Sequence, residues 1–198
     1  MCLLIETIKV IDGQFQNLSY HNTRFNNGRR ELFSCKDLID IAESVDIPFL
    51  AAKGVSKCTI AYNEKIIGVH FQTYHIKKVN SLKFVIDNNI DYSYKYEDRK
   101  PLNLLLKQKA ECDEIIIVKN GLITDTSYTN LVFYNGTKWL TPNSPLLKGT
   151  KREKLLKEGL IEEAEISADN IAKFNKVALI NAMLELGDVE VDIKNLKL

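Results

Sequence analysis

The chain has 198 residues, 45% of them hydrophobic and 27% charged, with a formal net charge of +1. That size fits one large domain or two small ones of ordinary globular composition. A charge so near zero gives no global field for nucleic acid or an anionic membrane, so any anion must be bound locally.

The opening MCLLIETIKV lacks the basic leader and the length of a signal peptide. No apolar run approaches the ~20 residues of a spanning helix. Cys2, Cys35, Cys58 and Cys112 include no Cys-x-x-Cys pair. That argues against a zinc ribbon and a disulfide framework, and a reducing cytoplasm is the expected location. Residues 3–10 read as a strand, Asp12-Gly13 as a turn and 14–18 as the returning strand. Ser19 is placed to cap a helix over 20–33, in which Gly28 is a weak point. His21 and Arg24 are three apart and share a face of it. Ser34 is placed to cap a second helix over 36–44, ended by Ile47-Pro48. Residues 57–62 and 65–71 form a hairpin across Asn63-Glu64.

The polar stretch 72–78 reads as a boundary, giving lobes 1–75 and 76–198. Beyond it come a strand at 82–86 and a helix over about 101–109 with Pro101 in its first turn. Residues 115–118 are apolar and β-branched, as suits a buried strand, and Asn120-Gly121 turns it back. A polar patch, Asp125-Thr126-Ser127-Tyr128-Thr129-Asn130, precedes a strand at 131–134. Asn135-Gly136 is a further turn. Gly149 opens a helix that ends at Gly159. Strands at 161–166, 177–180 and 190–193 follow, with a short helix at 168–174 capped by Ser167. Antiparallel hairpins dominate, so the expected class is α+β.

Read singly, the polar residues are ambiguous. Lys95 between Tyr94 and Tyr96 is either a solvated charge or an amine with a lowered pKa. Asp125 is either a turn cap or a buried charge awaiting a partner. The helix start at Gly149-Thr150-Lys151 offers backbone N–H groups to an anion, as many helices do. Arg24 either binds phosphate or solvates its helix, and Asn181 after a strand is open to a plain turn reading.

Their order is more informative. Glu6-Thr7-Ile8, Gly13 and His21-x-x-Arg24 come first. Lys95-Tyr96-Glu97-Asp98-Arg99, Asp125 to Asn130, Thr141-Pro142, Leu147-Lys148-Gly149-Thr150-Lys151-Arg152 and Asn181-Ala182 follow. Over nearly the whole chain this series resembles the class IV aminotransferases, the fold-type IV pyridoxal-phosphate enzymes. The resemblance implies a two-lobe fold like that of D-amino-acid aminotransferase, with a small N-terminal α/β lobe and a strand-rich lobe that binds pyridoxal 5′-phosphate. It implies a homodimer acting on a small amino-acid-like substrate.

Carried over, the resemblance makes Lys95 the Schiff-base lysine and proton shuttle. Asp125 becomes the partner of the pyridinium nitrogen, and Asn130, which closes its motif, a further cofactor-binding residue. Arg24 and the N–H groups of Thr150 and Lys151 become phosphate ligands. Asn181 and Ala182 lie near the phosphate or the substrate carboxylate, and Arg99 supports the lysine loop or the dimer interface. The chain departs from the pattern in having Asp125 for the usual Glu and Lys148 for the usual Pro. The segment ahead of Glu6 is short, and the loop between the lobes is reduced to 72–78. The Lys-x-x-Asp-Arg loop and the Asn-Ala strand end look most like aminodeoxychorismate lyase, a lyase of folate biosynthesis. A branched-chain or D-amino-acid transaminase and a non-catalytic cofactor-binding protein are the alternatives.

Overall fold

The computed structural model describes residues 2–197. They divide into two units, one of residues up to 75 with 94–98, the other of 76–93 with the residues from 99 onward.

The first unit is built on β1 (Leu4–Ile11), β2 (Gln14–Phe15), β3 (Val55–Tyr62) and β4 (Ile66–Thr73), in sheet order β2-β1-β3-β4. All three pairings are antiparallel. β1 alternates strictly between buried and half-buried positions, which sends Leu4, Glu6, Ile8 and Val10 to one face. Ser56, Cys58, Ile60 and Tyr62 join them there from β3. Helix α1 (Leu18–Phe33) lies against this core and buries His21, Phe25, Gly28 and Arg29. Gly28 is required by proximity: an added Cβ would come within 2.7 Å of Leu4 Cδ1 and 3.1 Å of Tyr62 Oη. The helix is not capped by Ser19. Its N-cap is Asn17, held left-handed at φ 55° without a side-chain bond.

The second helix is shorter than expected. Only α2 (Ile41–Ser44) forms, capped by Asp40, whose Oδ1 accepts from Ala42 N–H at 2.8 Å. Ser34 is the left-handed C-cap of α1 instead. The residues between are captured by α1 side chains. Asn26 bonds both the N–H and the C=O of Ile39, Asn22 accepts from Ile41 N–H, and Arg29 donates to Asp37 O. Backbone groups satisfied this way have no need of a helix.

In the second unit, β5 (Leu82–Ile86) and β6 (Glu114–Lys119) run parallel and are linked by α3 (Lys100–Leu106). β6 then turns through Asn120-Gly121 into antiparallel β7 (Leu122–Ile123). A second sheet contains β8 (Asn130–Tyr134), β9 (Trp139–Pro142), β10 (Glu162–Ala164), β11 (Lys176–Ile180) and β12 (Glu190–Asp192), in order β10-β9-β8-β11-β12. α4 (Thr150–Lys157) joins β9 to β10, a parallel pair. β13 (Leu196–Lys197) adds a parallel edge to β5. The sequence reading saw the hairpins but not these parallel crossovers. Of the predicted helix over 168–174, only a single 3-10 turn at Ile171–Lys173 forms. Among the described residues no helix is long and apolar enough to cross a membrane.

Candidate active site

Lys95 was expected to belong with the second lobe. Its segment is instead fastened to β1 of the first unit. Ile5 N–H donates to Lys95 O at 2.9 Å, Tyr96 forms an antiparallel bridge with Leu4, and Glu97 N–H donates to Leu3 O at 2.9 Å. Tyr94 and Tyr96 pack on the core of that unit, and Tyr94 donates its hydroxyl to Glu31 at 2.8 Å. The aromatic flanks noted in the sequence are thus anchors that place Lys95, itself half-buried, beside the start of β1.

Glu6 is fully buried on β1, one residue beyond this attachment. Arg24 grips it with two bonds, Nε to Oε1 at 2.8 Å and Nη2 to Oε2 at 2.6 Å. His21 Nδ1 meets Oε2 at 2.6 Å. Burial alone would raise the Glu6 pKa, but the Arg24 and His21 contacts outweigh it and bring it to about 2. Arg24 thus commits two of its five N–H donors to Glu6, so any phosphate contact falls to the rest of its guanidinium. The shared helix face of His21 and Arg24 was legible from their spacing; their common acceptor was not.

The second unit assembles the other expected residues. Asp125 follows β7 and lies alongside β6, whose Ile117 N–H donates to its carbonyl at 2.8 Å. The residue is 5% exposed. Asn130 Nδ2 donates to Oδ1 at 2.7 Å and Leu147 N–H to Oδ2 at 2.9 Å. The same Asn130 amide donates to Leu147 O at 2.8 Å. Burial pushes the Asp125 pKa up to about 7, against the pull of the Leu147 N–H, of Asn130 and of the Arg152 charge. The loop between is gripped through Ser127, whose carbonyl accepts from Arg99 Nη2 at 2.6 Å and whose N–H reaches buried Glu114 at 3.4 Å. Arg99 is therefore a holder of the Asp125 loop. Sequence reasoning missed Glu114, which looks like an ordinary strand-edge charge.

At the start of α4, Glu153 N–H to Gly149 O at 2.9 Å is the first helical bond, so the amides of Thr150, Lys151 and Arg152 precede the ladder. Lys151 and Arg152 are buried, and each is tied to a half-exposed carboxylate, Glu185 and Glu163 respectively. Arg152 also donates to Pro142 O at 2.9 Å, while its Nε is buried without a hydrogen-bond partner. Asn181 behaves as a turn residue. Its Oδ1 accepts from Met183 and Leu184 N–H at 2.8 and 3.0 Å, and its amide lies 3.3 Å from Tyr128 O. The resemblance placed it near phosphate or substrate carboxylate, but these bonds use its side chain for the turn. Ala182 beside it is half-buried.

The paired sheets of the second unit, with an acid at a strand edge and a helix start beyond it, define a fold-type IV architecture. A model of the family described as amino-transferase class IV matches residues 99–190. An uncharacterized protein of Haemophilus influenzae is 38% identical over 182 residues, spanning 91% of this chain and 97% of that one. Aminodeoxychorismate lyase of Saccharomyces cerevisiae is 34% identical over 82 residues, 38% of this chain and 22% of that protein. The crystal structure of a candidate 4-amino-4-deoxychorismate lyase from Haemophilus somnus 129PT superposes with a TM-score of 0.85 at 37% identity, covering 94% of this chain and 98% of that one. A candidate amino-acid aminotransferase from Mesorhizobium loti, at 23% identity and a TM-score of 0.82 over 97% of this chain and 99% of that one, shares the fold. The chain belongs to the class IV aminotransferase family.

Proposed function

We propose that this chain is a pyridoxal 5′-phosphate-dependent lyase that converts 4-amino-4-deoxychorismate to 4-aminobenzoate and pyruvate. The observation that carries the cofactor is Asp125, a buried carboxylate whose bonded donors are neutral and whose pKa is raised to about 7. Each carboxylate oxygen takes one of those donors and can accept a second. A pyridinium N–H would add a further donor and place a positive charge directly against the carboxylate. The start of α4 suits the phosphate, because its leading amides and the positive end of the helix dipole favour an anion. The residues present therefore fit the cofactor.

When bound, the cofactor supplies an electron sink for the pair left by a broken C–H bond. Lys95 would hold it covalently through Nζ. Freed when the substrate's amino group takes its place, that amine would accept the proton from the ring carbon that bears the amino group. The neighbouring C–O bond breaks, and a proton returned to the departing enolpyruvate gives pyruvate. Asp125 would pair in its ionised form with the ring nitrogen, and the phosphate would be bound by the Arg24 guanidinium and the N–H groups of Thr150 and Lys151.

The lyase is favoured over a transaminase by two relatives: the Haemophilus somnus candidate lyase, matched along nearly its whole length, and the yeast lyase, matched over a segment. The test is to supply aminodeoxychorismate without any 2-keto acid and to follow pyruvate. Pyruvate release is expected. Amino transfer from glutamate to a 2-keto acid, with no pyruvate, would identify a transaminase instead. Cofactor uptake with neither reaction would identify a non-catalytic binding protein.

A further inference from the structure

The Asp125 carboxylate is fixed through a closed ring of hydrogen bonds. Asn130 Nδ2 spends one hydrogen on Asp125 Oδ1 and the other on Leu147 O, and Leu147 N–H returns to Asp125 Oδ2. Asp125 lies alongside β6, Asn130 begins β8, and Leu147 lies in the turn before α4. The ring therefore ties together three separate segments.

Gly149 completes the arrangement. Its φ is −73°, so no unusual backbone conformation calls for glycine. Space does: a Cβ there would lie 2.1 Å from Asn130 Oδ1 and 3.2 Å from its Cγ. Asn130 is 6% exposed and both hydrogens of its amide nitrogen are engaged, so turning the amide away from the clash would break those bonds. We propose that Asn130 is a positioning residue that locks the Asp125 carboxylate to the turn opening α4, and that Gly149 is glycine in order to admit it.

This rests on the proposed function for its meaning, since it makes the two ends of the cofactor grip, the carboxylate and the helix start, one mechanical piece. The groups acting on Asp125 are Asn130 from β8, the Leu146 and Leu147 amides, and Arg152 of α4. Removing Asn130 takes away a donor that favours the ionised carboxylate, so the proton affinity of Asp125 must rise.

The test is made on the cofactor-free protein, by carboxyl carbon NMR of Asp125 and by thermal unfolding. Asn130→Ala should raise the Asp125 midpoint by about one pH unit, the worth of a typical hydrogen bond. Gly149→Ala should lower Tm by about 5 °C or more through the clash. Adding Asn130→Ala to Gly149→Ala should recover part of that loss, because the truncated side chain removes the obstacle. An unchanged Asp125 midpoint in Asn130→Ala would overturn the proposal. So would simple addition of the two Tm losses in the double variant. If Gly149→Ala alone does not fold, folding of the double variant supports the proposal and its failure to fold counts against it. Wild-type protein that takes up no pyridoxal 5′-phosphate would strike the proposed function, while these readouts would still decide the role of Asn130.

Discussion

Two buried carboxylates couple the protein to pH with opposite signs. Glu6 has a folded pKa lowered to about 2 from 4.5, so its contribution to stability is complete above about pH 4.5 and drains away as pH falls toward 2. Asp125 has a folded pKa raised to about 7 from 3.8. Its contribution is present below about pH 3.8 and is lost as pH rises through 7. Urea titrations of cofactor-free protein should therefore show stability falling between about pH 4 and pH 7. Asp125→Asn should remove that fall and leave the variant more stable than wild type at neutral pH, while abolishing tight cofactor binding. A variant less stable than wild type at neutral pH would show that Asp125 is already charge-compensated without the cofactor. Asp125 was suspect in the sequence because a charge stood within a strand-rich, hydroxyl-rich stretch. The buried Glu6 was not suspect, because nothing in LIETIKVI announces that both of its oxygens will be claimed from a helix more than a dozen residues away.

At the scale of the element, α1 and its partner sheet show where local signals mislead. Helix propensity ranks Gly28 as a defect worth about 1 kcal/mol relative to Ala. The packing reverses that judgement, because Leu4 and Tyr62 occupy the space of the missing Cβ and are themselves buried. Overpacking of this kind costs about 1–3 kcal/mol. Gly28→Ala should thus destabilise the protein by roughly 1 kcal/mol net in denaturant melts, whereas a gain in stability would mean that α1 can move away from the sheet at little cost. The failed prediction of a helix over 36–44 has the same origin. Asn22, Asn26 and Arg29 of α1 bond that backbone from a distance in sequence, and no local pattern encodes such capture.

At the scale of the whole molecule, hairpin turns and alternating strands were legible because their signals lie within a few residues. Asp12-Gly13, Asn120-Gly121 and Asn135-Gly136 all fall at turns, with positive φ at Asp12, Asn120 and all three glycines. The parallel pairing of β5 with β6 was not legible, since it depends on α3 returning the chain to the same edge. The packing of residues 94–98 on β1 was likewise hidden, because it joins segments about ninety residues apart. The expected site residues stood out in the sequence mainly through the order in which they occur.

The central claim is that Lys95 carries pyridoxal 5′-phosphate. Its most direct test is to incubate the protein with the cofactor, reduce with borohydride, digest and map the modified peptide by mass spectrometry. One phosphopyridoxyl group on Lys95 is expected, lost in Lys95→Ala. An adduct on another lysine, or none on a folded protein, would contradict it.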